Sequence, residues 1–433
     1  MNLLSAYERF SQVYPAQGFG KEALASYRQA GHDYLLEKGL PTRKDEDWTY
    51  TSVKVLNDVN FMPSAFNPLQ PGPETLLKIK AKLNAKFTNI VFFNGVLNST
   101  LSDAFPAGLT FKEAPPAQNS FADAFEALNG AYLQQSGVFT VAPETSVDKP
   151  VNFLFYTSVE GGPALMVQPR LQLQVGARSS LRFLESYYGH GNVSYFVNSV
   201  LDLKIADSAK VHYVRLQSDN LHAINIGRTR IELAKNATLQ SLAFSTGAGL
   251  ARHSLELRLK GPGSTSEVNG LYAVRGTQHV DNTTVIDHQV GECNTQQLYK
   301  GILDGSSRAA FSGQVLIQKD AQKANSAQLN NNLLLSSKAE ADSRPILQIY
   351  ADDVKASHGS TVGQLNREEL FYLLSRAIPP SRAISMLSYG FLSEVIYKVE
   401  DLEIQAWLTQ HLDEVFSQLS VPVVGSAPMV EKK

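Results

Sequence analysis

Apolar and polar residues along the chain follow three regimes in turn: helical spacing, strict alternation, then helical spacing again. From residue 1 to about 60, Leu24, Tyr27, Ala30, Tyr34 and Leu35 recur at three- and four-residue steps with Arg28, Gln29 and Asp33 between them, which predicts a helix. Gly39 is placed to stop it and Pro41 discourages its continuation. Residues 61–73 are rich in Pro and Asn and read as a connector. A second helix is expected over 74–83, and Asn89-Ile90-Val91-Phe92-Phe93 reads as a buried strand closed by Asn94-Gly95. Residues 121–135 return briefly to helical spacing.

From Val138 the period becomes two. Leu171, Leu173 and Val175 alternate with Gln172, Gln174 and Gly176; Leu201, Leu203 and Ile205 do the same, as do Ile231 and Leu233, then Leu255, Leu257 and Leu259. The first three sets begin at 171, 201 and 231, a degenerate repeat of solenoid length. Ten residues into each coil stand Leu181 and Val211, with Ser241 breaking the series. A mainly β fold follows, with a right-handed parallel β-helix as its core and α-helical regions at both ends. Periodicity alone leaves a β-sandwich or an irregular meander open, because it does not say which coils pair.

After Val362 the helical period returns. Asn366 with Glu369 has capping-box spacing, and Leu370, Leu373 and Leu374 form one apolar face. Pro379-Pro380 is expected to end that helix and Ser381 to open the next, which runs through Met386, Leu387, Phe391 and Val395; a third helix spans 402–419. Such a hairpin either caps an open solenoid end or offers a helix face to a partner. The organisation is thus 1–137 helical with a connector, 138–362 β-helix, and 363–433 helical. Deletion from Leu365 is expected to leave a folded β-core.

Composition narrows the function. The 433 residues include 39 Lys and Arg against 41 Asp and Glu, so no global field favours nucleic acid or an anionic membrane. No stretch of about 20 apolar residues is present to span a bilayer. The first ten residues carry Glu8 and Arg9 and no apolar run of signal-peptide length, which implies a cytoplasmic protein. The single cysteine, Cys293, excludes an internal disulfide and any cluster site built from several cysteines of this chain.

Enzyme signatures are missing: there is no phosphate-binding loop, dinucleotide Gly-x-Gly-x-x-Gly, His-Glu-x-x-His or Gly-x-Ser-x-Gly. His279, Asp281, Asp287, His288 and Cys293 form the densest set of ligand-type residues. On a strand His279 and Asp281 share a face, suiting a common metal or hydrogen bond, whereas Asp287 and His288 face opposite ways. Cys293 reads as a small buried hydrophobe. His358 lies in Val354-Lys355-Ala356-Ser357-His358-Gly359-Ser360, where flanking small residues let backbone or a partner approach.

Two stretches resemble a known family. One is Gly39-Leu40-Pro41-Thr42-Arg43-Lys44-Asp45-Glu46-Asp47-Trp48-Thr49-Tyr50-Thr51-Ser52. The other runs from Leu298-Tyr299-Lys300-Gly301-Ile302-Leu303 through Ala321-Gln322-Lys323, Asn332-Leu333-Leu334-Leu335-Ser336 and 354–363 to Phe371-Tyr372-Leu373-Leu374-Ser375-Arg376. Together they resemble the SufB/SufD family of iron–sulfur cluster assembly proteins, and the single cysteine outside the Val-Lys-x-Ser-His-Gly stretch makes the chain more like the SufD type.

The resemblance implies a non-catalytic scaffold or adaptor in a SufBCD complex. A SufB-type paralogue would pair with the β-helix end as a heterodimer, and an ABC ATPase of SufC type would bind the C-terminal helices. Phe371, Tyr372, Arg376, Met386, Leu387 and Phe391 are then the candidate ATPase-binding residues. His358 is the candidate metal or cluster ligand at the SufB interface. No cofactor is expected to stay on the isolated chain, which is expected to form a homodimer; iron or a nascent cluster would sit transiently at the interface. Family members often have cysteine at the position of Ala356, so a thiol role there does not carry over. Trp48 and Tyr50 are expected to dock the N-terminal helices on the β-core, with Asp45 or Asp47 capping backbone donors. A SufB-like scaffold holding a cluster alone, and a carbohydrate-active β-helix enzyme, are the competing readings.

Overall fold

The alternating segments coil into a β-solenoid of about seven turns, in which each turn adds one strand to each of two sheets. The computed structural model describes residues 6–16, 21–66, 70–116, 120–159, 162–191 and 193–418; Asn67, Pro68 and Leu69 of the connector and Leu419 of the last helix lie outside them. Helices α1 (Tyr7–Val13), α2 (Lys21–Lys38), α3 (Val55–Asp58), α4 (Pro73–Lys80) and α5 (Ala124–Ala131) precede or interrupt the first coils, and α6 (Arg367–Ser375), α7 (Pro380–Ile396) and α8 (Leu402–Gln418) follow the last.

The first sheet stacks Arg170–Val175, Tyr195–Ile205, Ile224–Leu233, Leu250–Leu259, His279–His288, Arg308–Ile317 and Glu340–Ile349, all parallel. The second stacks Ser180–His190, Lys210–Ser218, Thr238–Ser245, Thr265–Val274, Asn294–Leu303, Asn325–Leu334 and Lys355–Gly363 in the same way. Their inward side chains form one apolar column, since period-two alternation sends every other residue inside. The repeat is less regular than its first two coils suggest. Leu171 pairs with Leu201, but Ile231 stands on Leu203, and Leu239 rather than Ser241 continues the column of Leu181 and Val211. The second coil, from Leu201 to Thr229, is two residues shorter than the first, and an even shift keeps each side chain on its own face.

The amino-terminal end of the solenoid is closed by antiparallel pairs. Leu109–Glu113 runs against Gly137–Val141, and Val96–Leu97 folds back on Thr88–Phe93, the buried strand expected near residue 90. The connector also gives a short strand, Met62–Pro63, which pairs with Leu165–Val167.

Helices cover the outer faces of both sheets. On the first, Phe125, Leu128 and Tyr132 of the α5 region pack against Met166, Phe196, Ile224 and Ile226. Helix α5 is capped by the Asp123 side chain, which accepts from the Glu126 amide at 2.8 Å. Helix α2 lies over α5, and Gly31 makes the approach feasible: a Cβ there would lie 2.5 Å from the Ala127 carbonyl oxygen. Gly39, at φ +69°, ends α2 by donating its amide to the Leu35 carbonyl. Trp48 is buried against Phe125, with the Arg252 guanidinium 4.0 Å from its ring centroid. Asp45 accepts from the Thr42 amide at 2.7 Å, while Tyr50 stays 40% exposed and lines a surface pocket with Val55, Val59 and Leu221 instead of being buried as Trp48 is.

On the second sheet, α7 and α8 place Leu392, Val395, Ile396, Trp407, Leu408 and Leu412 against Leu184, Leu216, Phe244, Leu271 and Ile302. The buried Lys300 pairs with Glu394 and lies 4.4 Å over the Phe391 ring. Tyr188 donates to His411 Nε2 at 2.8 Å, while His411 Nδ1 donates to the Trp407 carbonyl at 2.8 Å. The C-terminal hairpin therefore lines the side of the solenoid and leaves its end open. Helix α7 begins at Pro380 rather than Ser381, because a proline at the first helical position lacks only an amide that would have no partner there. The Asn366 side chain caps α6 through the Glu368 amide, one residue earlier than the capping-box spacing implied.

Candidate functional site at the open end of the solenoid

The last coil differs from all the others in what covers it. Glu340–Ile349 and Lys355–Gly363 are the terminal strands of the two sheets, and among the described residues nothing pairs with their outer edges. Most of 340–349 is half-buried and most of 355–363 is exposed. A flat pair of parallel edges presents unpaired backbone donors and acceptors, which is a template for another chain's strands. Ile349, Tyr350 and Val362 add exposed apolar side chains to that end.

His358 sits on this edge, exposed, in register with Gln328 of the preceding coil. Ala356 and Ser357 precede it, in register with Ser326 and Ala327. Ala356 packs against the apolar column, as an inward residue should.

Towards this end the interior turns polar. The position held by Val268 becomes Gln297, then Gln328, then His358. Gln328 Nε2 donates to Gln297 Oε1 at 2.5 Å, and Gln297 Nε2 donates to Thr284 Oγ1 at 2.9 Å. One step away, His288 Nε2 meets Thr295 Oγ1 at 3.0 Å, and Thr295 donates to Ser326 Oγ at 2.9 Å. Tyr272 donates to Asn332, whose Nδ2 donates to Asn330 Oδ1 at 2.8 Å. Buried amides and hydroxyls cost free energy unless paired, and these ladders pair most of them. A second polar island lies farther back, where Glu185 accepts from Tyr213 at 2.5 Å and from Tyr187 at 3.1 Å. Burial raises the Glu185 pKa despite the pull of Arg215.

The other ligand-type residues go elsewhere. His279 and Asp281 do share a face, but they share Thr51: its hydroxyl lies 2.9 Å from His279 Nε2 and donates to Asp281, which also pairs with Arg252. The pair thus anchors the 39–52 segment to the first sheet. His288 points inward and Asp287 outward, where Asp287 accepts from Gln289 and Gln318. Cys293 is fully buried, 3.2 Å from Ser264 Oγ. Among the described residues no group of three or more His, Cys, Asp or Glu side chains is arranged to hold a metal ion.

Of the candidate ATPase-binding residues, Phe371 (73% exposed) and Tyr372 (57%) stand free on α6, a helix with no buried residue, and Arg376 is exposed beside Tyr372. Met386 is exposed on α7, Leu387 is half-buried, and Phe391 lies partly buried beneath Lys300. Gln297 and Gln328 were not singled out from the sequence. Counting back in twos from the inward Leu303 and Leu334 marks both, as polar residues at inward positions.

Burial of His288 carries a measurable consequence. Desolvation pushes its pKa down to about 4 from 6.5, with Asp287 opposing weakly. The folded state therefore holds fewer protons than the unfolded one between those values, so stability is intact above 6.5 and falls as the pH drops towards 4. The loss is on the order of 3 kcal/mol. Urea titrations across that range should show it, and His288→Gln should flatten the dependence; an unchanged slope in the variant would assign the acid sensitivity to other groups, such as His253, His279 and His411, which burial shifts the same way.

Comparison with known proteins decides the family. A model of the SUF system FeS cluster assembly SufBD core domain matches residues 156–391, which take in the solenoid, the open end, α6 and most of α7. This chain belongs to the SufBD family. It is 31% identical over 421 residues to an iron–sulfur cluster assembly SufBD family protein of Synechocystis sp., covering 89% of this chain and 90% of that one. The iron–sulfur cluster assembly protein SufD of Escherichia coli is 29% identical over 406 residues, covering 92% and 94%. The SufD of Bacillus subtilis is 29% identical over 272 residues, 61% of each chain. Within the SufBD family the chain is most like SufD. No described helix is long and apolar enough to cross a membrane.

Proposed function

We propose that this SufD-type protein is a non-catalytic subunit of an iron–sulfur assembly complex, and that its open solenoid end pairs with a SufB-type paralogue. The observation that carries this reading is the uncovered edge at 340–363, where the polar interior column ends on His358, exposed because no further coil among the described residues covers it. The paralogue's edge strands would satisfy the free backbone groups. His358 would supply one imidazole to iron or a nascent cluster, the complex's cargo, and thiolates or other groups of the paralogue would complete the coordination. A second copy of this chain would occupy the same edge when no paralogue is present. Cys293, single and buried, suits a cytoplasmic, reducing setting.

A SufC-type ATPase would dock on α6 and the exposed part of α7, where Phe371, Tyr372, Arg376 and Met386 are available. Helix α7 is fastened to the second sheet by Leu392, Ile396 and the Lys300–Glu394 pair. A displacement of the hairpin by the ATPase would thus reach the coils nearest the open end. Co-expression with a SufB-type and a SufC-type protein should yield one stable assembly on purification through this chain. Recovery of this chain without either protein would refute the proposal.

A further inference from the structure

We infer that Gln328 is a positioning residue for His358: its buried side-chain oxygen, which accepts from no group among the described residues, takes a hydrogen bond from one ring nitrogen when the exposed imidazole turns down onto it, and leaves the lone pair of the other directed at the partner. The inference deepens the reading of His358 as a ligand and rests on it. Gln328 lies directly beneath His358 in the adjacent strand, on the same face, at the spacing of about 4.8 Å that separates neighbouring strands. It is 3% exposed, and its Oε1 is buried with no partner among the described residues.

The orientation of its amide is set from below. Gln297 gives its NH₂ to Thr284 and turns its oxygen up to Gln328, which answers with its own NH₂. Reversing the Gln328 amide would set two acceptor oxygens against each other. Gly313, across the interior, clears the space: a Cβ there would lie 2.2 Å from Gln328 Nε2. What Gln328 has left to offer the last coil is an acceptor. An imidazole that donates one N–H to such an acceptor is fixed as one neutral tautomer, with its other nitrogen free to bind a metal.

The test is ¹⁵N NMR of the histidine side chains in the full chain, with the His358 signals assigned by their loss in His358→Asn. Wild-type protein should show the two ¹⁵N shifts of a single tautomer. Gln328→Leu should give averaged shifts, and Gln328→Glu, which keeps an acceptor, should restore the single tautomer. In the assembled complex, Gln328→Leu should weaken Fe(II) binding about tenfold. Averaged shifts in the wild type overturn the inference even if Gln328→Leu does not fold, as do identical shifts in wild type and a folded Gln328→Leu. A tautomer that depends on Gln328 while His358→Ala complexes still build clusters would uphold the hydrogen bond and refute only the ligand role.

Discussion

Deletion from Leu365 onward is expected to leave a solenoid that is insoluble as well as unable to bind an ATPase. The sequence alone suggested that the β-core would survive this cut. The structure argues otherwise, because α7 and α8 are the cover of the second sheet: without them Leu184, Leu216, Phe244, Leu271 and Ile302 face water as one apolar patch. Even Leu392→Ala, at a fully buried position, should cost about 2–5 kcal/mol. A cleaner separation of docking from folding is Phe371→Ala with Tyr372→Ala, since both side chains are exposed. That double variant should keep wild-type stability and lose capture of the SufC-type protein. Soluble yield and size-exclusion profiles check the deletion, and a soluble, monodisperse protein ending at residue 364 would contradict this account of the hairpin.

Gly301→Ala is expected to destabilise the solenoid by about 2–5 kcal/mol, from overpacking and a broken buried hydrogen bond. Gly301 faces inward, and a Cβ there would lie 1.9 Å from a ring carbon of Tyr272, which is 1% exposed. Tyr272 has no room to retreat without leaving Asn332 and Asn330, the groups that satisfy its hydroxyl. The same exchange recurs one step along, where Tyr299 occupies the space that a Cβ on Gly270 would need. Chemical denaturation should show the loss, and Tyr272→Ala combined with Gly301→Ala should cost less than the two changes summed. Wild-type stability in Gly301→Ala would show that the ring has freedom the packing does not suggest.

These cases show what was legible in the sequence. Alternation and coil length announced a solenoid, because burial on one face of each strand leaves a period-two trace in Leu171, Leu201 and their neighbours. Register was less legible: a coil shortened by two residues preserves the alternation, so only pairing shows that Leu239, not Ser241, continues the column. Trp48 is the buried anchor its motif implies, whereas Tyr50 in the same motif stays 40% exposed, since spacing does not tell which aromatic of a loop turns fully inward. The docking of α7 and α8 along the side of the solenoid, instead of over its end, depends on long-range packing that no local pattern encodes. His358 stood out through its motif. The amide ladder beneath it was hidden, because glutamine in a strand resembles a solvated residue until the inward phase is known.

The central claim is that the open end forms half of a site completed by another protein. Its most direct test is the iron and acid-labile sulfide content of the complex purified anaerobically through this chain, as wild type and as His358→Ala. The account predicts iron and sulfide on the wild-type complex, neither on the isolated chain, and a loss of about tenfold or more in His358→Ala at unchanged subunit composition. Equal iron and sulfide in the two complexes, or a stoichiometric cluster on the isolated chain, would contradict it.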